Sequence, residues 1–127
     1  MKNYSRQREA ILNVLRSTDT HPTANRVYEL VRQEIPNISL GTVYRNLAAL
    51  SAAGEILSIN VGDGFEHFDG DKSLHLHLHC RNCGSIADAA VDQNLFNTLC
   101  SSNGFSPDTS VCVVYGVCKE CEQNLKI

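Results

Sequence analysis

Two Cys-x-x-Cys pairs, Cys80/Cys83 and Cys118/Cys121, stand 34 residues apart and constrain this chain more than any other feature. Each pair forms a turn that can direct two thiolates at one ion, and four thiolates suit tetrahedral zinc. Gly84 and Gly116 leave the backbone free to curl around such a site. Two independent redox pairs, or a rubredoxin-like iron centre, would use the same residues; the redox reading wants a thioredoxin-like βαβ context that is absent. The compartment bears on this choice. The basic N-terminus, Met1 to Arg8, is followed only by the short apolar run Ala10-Ile11-Leu12, and no stretch approaches the roughly 18 apolar residues of a membrane span. A cytoplasmic location with no membrane partner is therefore expected, where six cysteines serve as ligands or redox centres more readily than as a disulfide framework. Cys100 and Cys112 lack a nearby partner and sit in apolar runs, which predicts buried structural thiols.

Immediately before the first pair runs His75-Leu76-His77-Leu78-His79. This alternation predicts a strand with three imidazoles on one face and Leu74, Leu76 and Leu78 on the other. Cys80 has the opposite parity, which argues for two separate metal centres, one of thiolate and one of imidazole. Asp69 and Asp88 could complete a nitrogen and oxygen shell of the kind that binds iron, manganese or zinc reversibly. The competing reading is a solvent-facing strand edge that binds nothing.

The first half is different in character. Residues 1–60 hold seven basic and five acidic residues, whereas residues 61–127 hold four and nine, together with all six cysteines and four of the five histidines. Helical spacing of Ala10, Ile11, Val14 and Leu15 predicts a helix over about 4–17. Thr23 can cap a second helix carrying Val27, Leu30 and Val31, which stops before Pro36. Ser39 can cap a third, burying Val43, Leu47 and Leu50 and closing at Gly54. Gly62-Asp63-Gly64, flanked by alternating residues, predicts a β-hairpin. Three helices and a hairpin make a winged-helix arrangement. The outer face of the third helix is expected to carry Thr42, Tyr44, Arg45 and Asn46, groups able to reach phosphates and base edges, although any surface helix has a polar face.

Five segments in order then resemble the ferric uptake regulator family. They are Gln7-Arg8-Glu9-Ala10-Ile11, His21-Pro22-Thr23-Ala24, Ser39 to Leu47, the histidine strand with Cys80-Arg81-Asn82-Cys83-Gly84, and Tyr115-Gly116-Val117-Cys118-Lys119-Glu120-Cys121. The resemblance covers essentially the whole chain. It implies an α+β protein with a winged-helix DNA-binding domain over 1–69, a hinge at 70–73 and a metal-binding α/β dimerisation domain over 74–127. It further implies a homodimeric transcription repressor that is not an enzyme and that binds double-stranded DNA, expected as an AT-rich inverted repeat. Structural Zn2+ falls on Cys80, Cys83, Cys118 and Cys121, and a regulatory Fe2+ or Mn2+ on His21, Asp69, His75, His77 and Asp88. The recognition helix falls on 39–53, with Ser39, Thr42, Tyr44, Arg45 and Asn46 as DNA-binding candidates and Tyr44 and Arg45 foremost.

Within the family, aspartates at 69 and 88 and the His75/His77 pair resemble the peroxide-sensing repressors more than the iron-uptake members, which usually carry glutamates there. The resemblance implies that iron in the regulatory site turns hydrogen peroxide into an oxidant of His21 or His75. A third metal site of many relatives draws on a histidine pair that the stretch Ser106 to Cys112 lacks, and is expected to be missing. His79 stands where the family normally has an apolar residue, as a bland variation or as a competing ligand, and His67 has no assigned role. Iron-, manganese- or zinc-responsive uptake regulators remain the alternative, and a zinc module that does not bind DNA, or a small metalloenzyme or thiol peroxidase using Cys100 or Cys112, is the rival from another class.

Overall fold

The computed structural model describes residues 2–107 and 111–125, which divide into two compact units, one ending at Lys72 and the other starting at Ser73. The first unit contains α1 (Lys2–Arg16), α2 (Ala24–Val31), α3 (Leu40–Ala52) and an antiparallel hairpin of β1 (Leu57–Asn60) and β2 (Glu66–Asp69). Its helices start where side chains satisfy the first free N–H groups: Thr23 Oγ1 accepts from Arg26 N at 3.4 Å and Ser39 Oγ from Thr42 N at 3.1 Å. Gly54 follows the last turn of α3 at φ +73°, the left-handed geometry that ends a helix without a Cβ penalty. Ile11 and Leu15 of α1, Val27 and Val31 of α2 and Val43 and Leu47 of α3 are fully buried against one another, and Ile56 and Phe68 close the core from the hairpin side. Gly70 touches α1 so closely that a Cβ would lie 2.8 Å from the backbone carbon and oxygen of Leu15, so only glycine fits there.

The second unit contains β3 (His75–Cys80), β4 (Ile86–Ala90), α4 (Gln93–Ser102), β5 (Val111–Gly116) and α5 (Lys119–Leu125). The sheet order is β4-β3-β5, with β4 antiparallel and β5 parallel to β3. The histidine strand is thus the central strand, not a solvent-facing edge. Its histidine face is buried, while Leu76 is half-buried and Leu78 exposed on the other face. Among the described residues of this unit the only buried members of the apolar class are Cys80 and Cys121, and α4 buries nothing. The expectation that Cys100 and Cys112 are core thiols is corrected accordingly: both are half-buried, because α4 and β5 carry their apolar residues on a face that nothing in this unit covers.

Candidate metal centres and nucleic-acid interface

The four sulfurs of Cys80, Cys83, Cys118 and Cys121 lie within 4.8 Å of one another. Cys83 Sγ and Cys118 Sγ are 4.0 Å apart, close to the roughly 3.8 Å that tetrahedral coordination at Zn–S distances of about 2.3 Å requires. Local backbone builds the site. Cys80 ends β3 and is tied to Ser85 O (3.0 Å); the turn then bends back through a Gly84 N–H to Cys80 O bond (2.9 Å), with Gly84 at φ +82°. Gly116 stays in the extended end of β5, so its expected freedom to curl is not used. Backbone N–H groups of Cys83 and Cys118 point at Cys80 Sγ (3.4 and 3.3 Å) and lower its thiol to about 6. The Ser85 side chain and backbone lower Cys83 as well. At Cys121 an Asn82 hydrogen bond lowers the thiol, but the sulfurs of Cys118, Cys83 and Cys80 and burial outweigh it and push it up to about 12. The thiolates of Cys80 and Cys83 are thus stabilised while Cys121, crowded by the other sulfurs, resists ionising beside them, a conflict that a divalent cation relieves. The donor set fits zinc.

A second cluster lies on the other face of β3. His77 pairs across the sheet with Asp88 of β4, and the rings of His75 and His77 are 4.3 Å apart. Asp88 Oδ1 is 3.3 Å from His75 Nε2 and 3.8 Å from His77 Nε2. His75 Nδ1 donates to Ser73 O at 2.8 Å, which leaves the Nε2 lone pair facing the carboxylate. Lone pairs opposed at that distance call for a proton or a cation between them. Two imidazoles and one carboxylate form a donor set suited to iron(II), manganese or zinc. His79, also buried, stands edge-on to Tyr115 (ring centroids 5.7 Å), and its Nδ1 is buried without a hydrogen-bond partner. In the stretch 106–112, residues Asp108, Thr109 and Ser110 lie outside the described residues, so the expectation for a third site is not addressed there.

In the first unit, His21 and Asp69 form a pair of similar chemistry. Both are buried, with His21 Nε2 3.3 Å from Asp69 Oδ2, while Asp69 Oδ1 accepts from Asp71 N at 2.9 Å. His21 holds φ +54°, the only positive φ among the described non-glycine residues. Sequence reasoning left His67 without a role, yet its ring contacts the His21 carbonyl (Nδ1 to O, 2.8 Å) and the Asp63 carboxylate (Nε2 to Oδ2, 2.7 Å). No local signal pointed to a contact that spans 46 residues.

On α3, Tyr44 is half exposed and Arg45 is exposed, its guanidinium bonded to Thr42 Oγ1 at 3.1 Å. Ser39 Oγ is also 2.8 Å from Thr42 Oγ1, so capping and presentation share one hydroxyl cluster. Asn46 corrects the expectation of an outer-face residue: it is 3% exposed and donates to Thr42 O at 2.9 Å. Positions 43, 46, 47 and 50 make one helical stripe, so Asn46 falls on the packed side.

Residues 2–115 match the ferric uptake regulator family. This chain belongs to that family. A peroxide-responsive repressor of Staphylococcus aureus is 37% identical over 118 residues, covering 91% of this chain and 80% of the relative. A peroxide stress regulator of Campylobacter jejuni has a similar structure (TM-score 0.82, 31% identity, 94% of this chain and 91% of that one). The Helicobacter pylori ferric uptake regulator, described with three functional metal-binding sites, also superimposes (TM-score 0.77, 26% identity, 92% and 80%). Ferric uptake regulators are DNA-binding regulators that form dimers, and this membership sets the enzyme reading aside. No described helix is long and apolar enough to cross a membrane.

Proposed function

We propose that this chain is a cytoplasmic, homodimeric, metal-dependent repressor that binds an AT-rich inverted repeat and is released from it by hydrogen peroxide. The observation that carries this reading is the set of two buried imidazoles, His75 and His77, with the exposed carboxylate of Asp88 beside them, rich in nitrogen and oxygen and separate from a thiolate cluster on the same sheet. The identity with the Staphylococcus aureus peroxide-responsive repressor and the aspartates at 69 and 88 support the peroxide branch. In this reading residues 1–69 form the winged-helix reader, 70–73 the hinge and 74–127 the dimeriser.

Cys80, Cys83, Cys118 and Cys121 hold zinc, which staples the ends of β3 and β5. His21 and Asp69 supply two donors and His75, His77 and Asp88 three more to one regulatory ion, so binding it ties reader to dimeriser. Tyr44 and Arg45 then present hydroxyl and guanidinium to the major groove, with Thr42 and Ser39 ordering the Arg45 guanidinium and Asn46 holding the helix from within. Ferrous iron, when bound, would catalyse cleavage of the peroxide O–O bond, while the imidazole itself would supply the two electrons that the peroxide takes up. His21 or His75 takes one oxygen atom into a ring C–H bond, the other leaving as water. A ring so altered donates poorly, the tie is lost and DNA affinity falls; a tenfold fall needs only about 1.4 kcal/mol of coupling.

Mass spectrometry of the iron-loaded protein after dilute peroxide tests this. We expect a gain of one oxygen atom (about 16 Da) on the peptide carrying His21 or His75, in parallel with loss of binding to the inverted repeat. DNA binding that requires metal but survives peroxide with unchanged mass would make the chain an iron-, manganese- or zinc-responsive uptake regulator instead. No preference for the repeat over random duplex under any divalent metal would sink the repressor reading.

A further inference from the structure

His21 adopts a backbone conformation that L-residues with a Cβ rarely take, so something must hold it there. β2 does so at two levels. Its backbone pins the flanking residues: Phe68 N donates to Pro22 O at 3.0 Å, and Thr23 bridges to His67. Its side chains at 67 and 69, on one face of the strand, then engage His21 itself. Asp69 faces the imidazole, and His67 grips the carbonyl at 2.8 Å. A carbonyl only accepts, so Nδ1–H of His67 is the donor. The far side of the His67 ring is fixed by Asp63 at 2.7 Å, and Asp63 is itself locked in its turn by a Phe65 N–H to Oδ1 bond of 3.0 Å, between Gly62 and Gly64 at φ +84° and +88°.

We propose that His67, braced by Asp63 of the hairpin turn, is the positioning residue that holds His21 in its left-handed conformation and so aims its imidazole for the regulatory ion. This rests on the reading of His21 as a ligand. Removing a group that orients a ligand weakens metal binding by about tenfold to a hundredfold, without removing any donor.

Manganese(II) titration of the full-length, zinc-loaded protein provides the test, with His67→Phe, His67→Asn, Asp63→Ala and His21→Ala compared with wild type. His67→Phe keeps the ring volume and loses the donor, and is expected to raise the manganese dissociation constant about tenfold or more. His67→Asn places an amide N–H near the old Nδ1 and should recover most of the affinity. Asp63→Ala, on an exposed turn, should weaken binding in the same direction but less. If His67→Phe fails to fold by circular dichroism, the Asn and Ala variants still decide: manganese affinity at the wild-type level in Asp63→Ala overturns the proposal. A lower melting temperature in His67→Phe with unaltered affinity also overturns it, by showing a merely structural role. His21→Ala separates the two levels. Wild-type affinity in that variant defeats the ligand assignment itself, whereas its loss alongside normal binding by the His67 and Asp63 variants defeats only the positioning role.

Discussion

The two units are held together by different means. The first is a conventional packed domain: fourteen buried apolar residues from three helices, the hairpin and the segments that join them form one cluster. Among the described residues the second buries two cysteines and the three histidines of β3, while Leu95, Leu99, Phe105, Val114, Tyr115 and Val117 are each more than 40% exposed. A three-stranded sheet with an uncovered helix cannot offset its own ordering entropy by burial within the unit. Stability there has to come from outside the unit's own packing, and the proposed function supplies two sources, a metal staple and a second copy covering the apolar face. The lesson is that one chain can combine a unit whose core is self-sufficient with one whose apolar residues are left uncovered by its own elements.

Removing the staple is the strongest way to break this contrast. Structural zinc contributes on the order of 10 kcal/mol to the folding of small zinc domains. Cys80→Ser, or exhaustive chelation, is expected to abolish the dimer and DNA binding while α1–α3 keep their helical circular dichroism. Sedimentation and far-ultraviolet spectra of one sample would show both outcomes. Retention of the dimer in metal-free protein would mean that the second unit has a packing source not seen in its buried residues.

A paired substitution sharpens the contrast at smaller scale. Leu99→Glu on α4 changes an exposed residue, so it should leave the first unit's thermal transition unmoved yet weaken the dimer by about 100-fold or more, since burying one leucine contributes about 1.5–3 kcal/mol and the change occurs in both copies. Leu47→Ala on α3 should do the reverse. Its side chain is fully buried, and truncation should destabilise the first unit by about 3 kcal/mol with the dimer constant unchanged. Analytical ultracentrifugation and calorimetry on both variants would separate the effects.

The same contrast decides what the amino-acid pattern could reveal. Helix ends were legible because Thr23, Ser39 and Gly54 act through local chemistry, and the first unit's core because its periodicity has its partners within the unit. The cysteine spacing likewise announced four sulfurs converging on one point. Burial in the second unit was not legible: Cys100 and Cys112 sit in apolar runs, but the surface that would cover them lies on no neighbouring element of that unit. Nor was the centrality of β3 readable from alternation, which says which residues share a face and nothing about which strands lie alongside. The hold of His67 on His21 depends on the hairpin folding back beside the segment before α2, a tertiary event with no signature in either stretch. Asn46 was different, since its place follows from counting three and four residues along α3.

Asn46 and Arg45 therefore give the finest test, because adjacent residues of one helix are expected to fail in opposite ways. Arg45 is exposed, and its only described side-chain bond runs to Thr42. Replacing it with alanine should leave the melting temperature almost unchanged but lower affinity for the inverted repeat by about 1–3 kcal/mol, as expected for loss of a guanidinium contact. Asn46 donates from the packed side to the Thr42 carbonyl. Its alanine variant should lose about 1 kcal/mol of stability in the first unit, the usual worth of such a bond, with repeat binding intact in the folded protein. Calorimetry and fluorescence anisotropy on the two variants measure both quantities. If Asn46→Ala weakened DNA binding as much as Arg45→Ala without loss of stability, the assignment of residue 46 to the packed stripe would be wrong, and the face of α3 that meets DNA would have to be rotated by about one residue, or 100°.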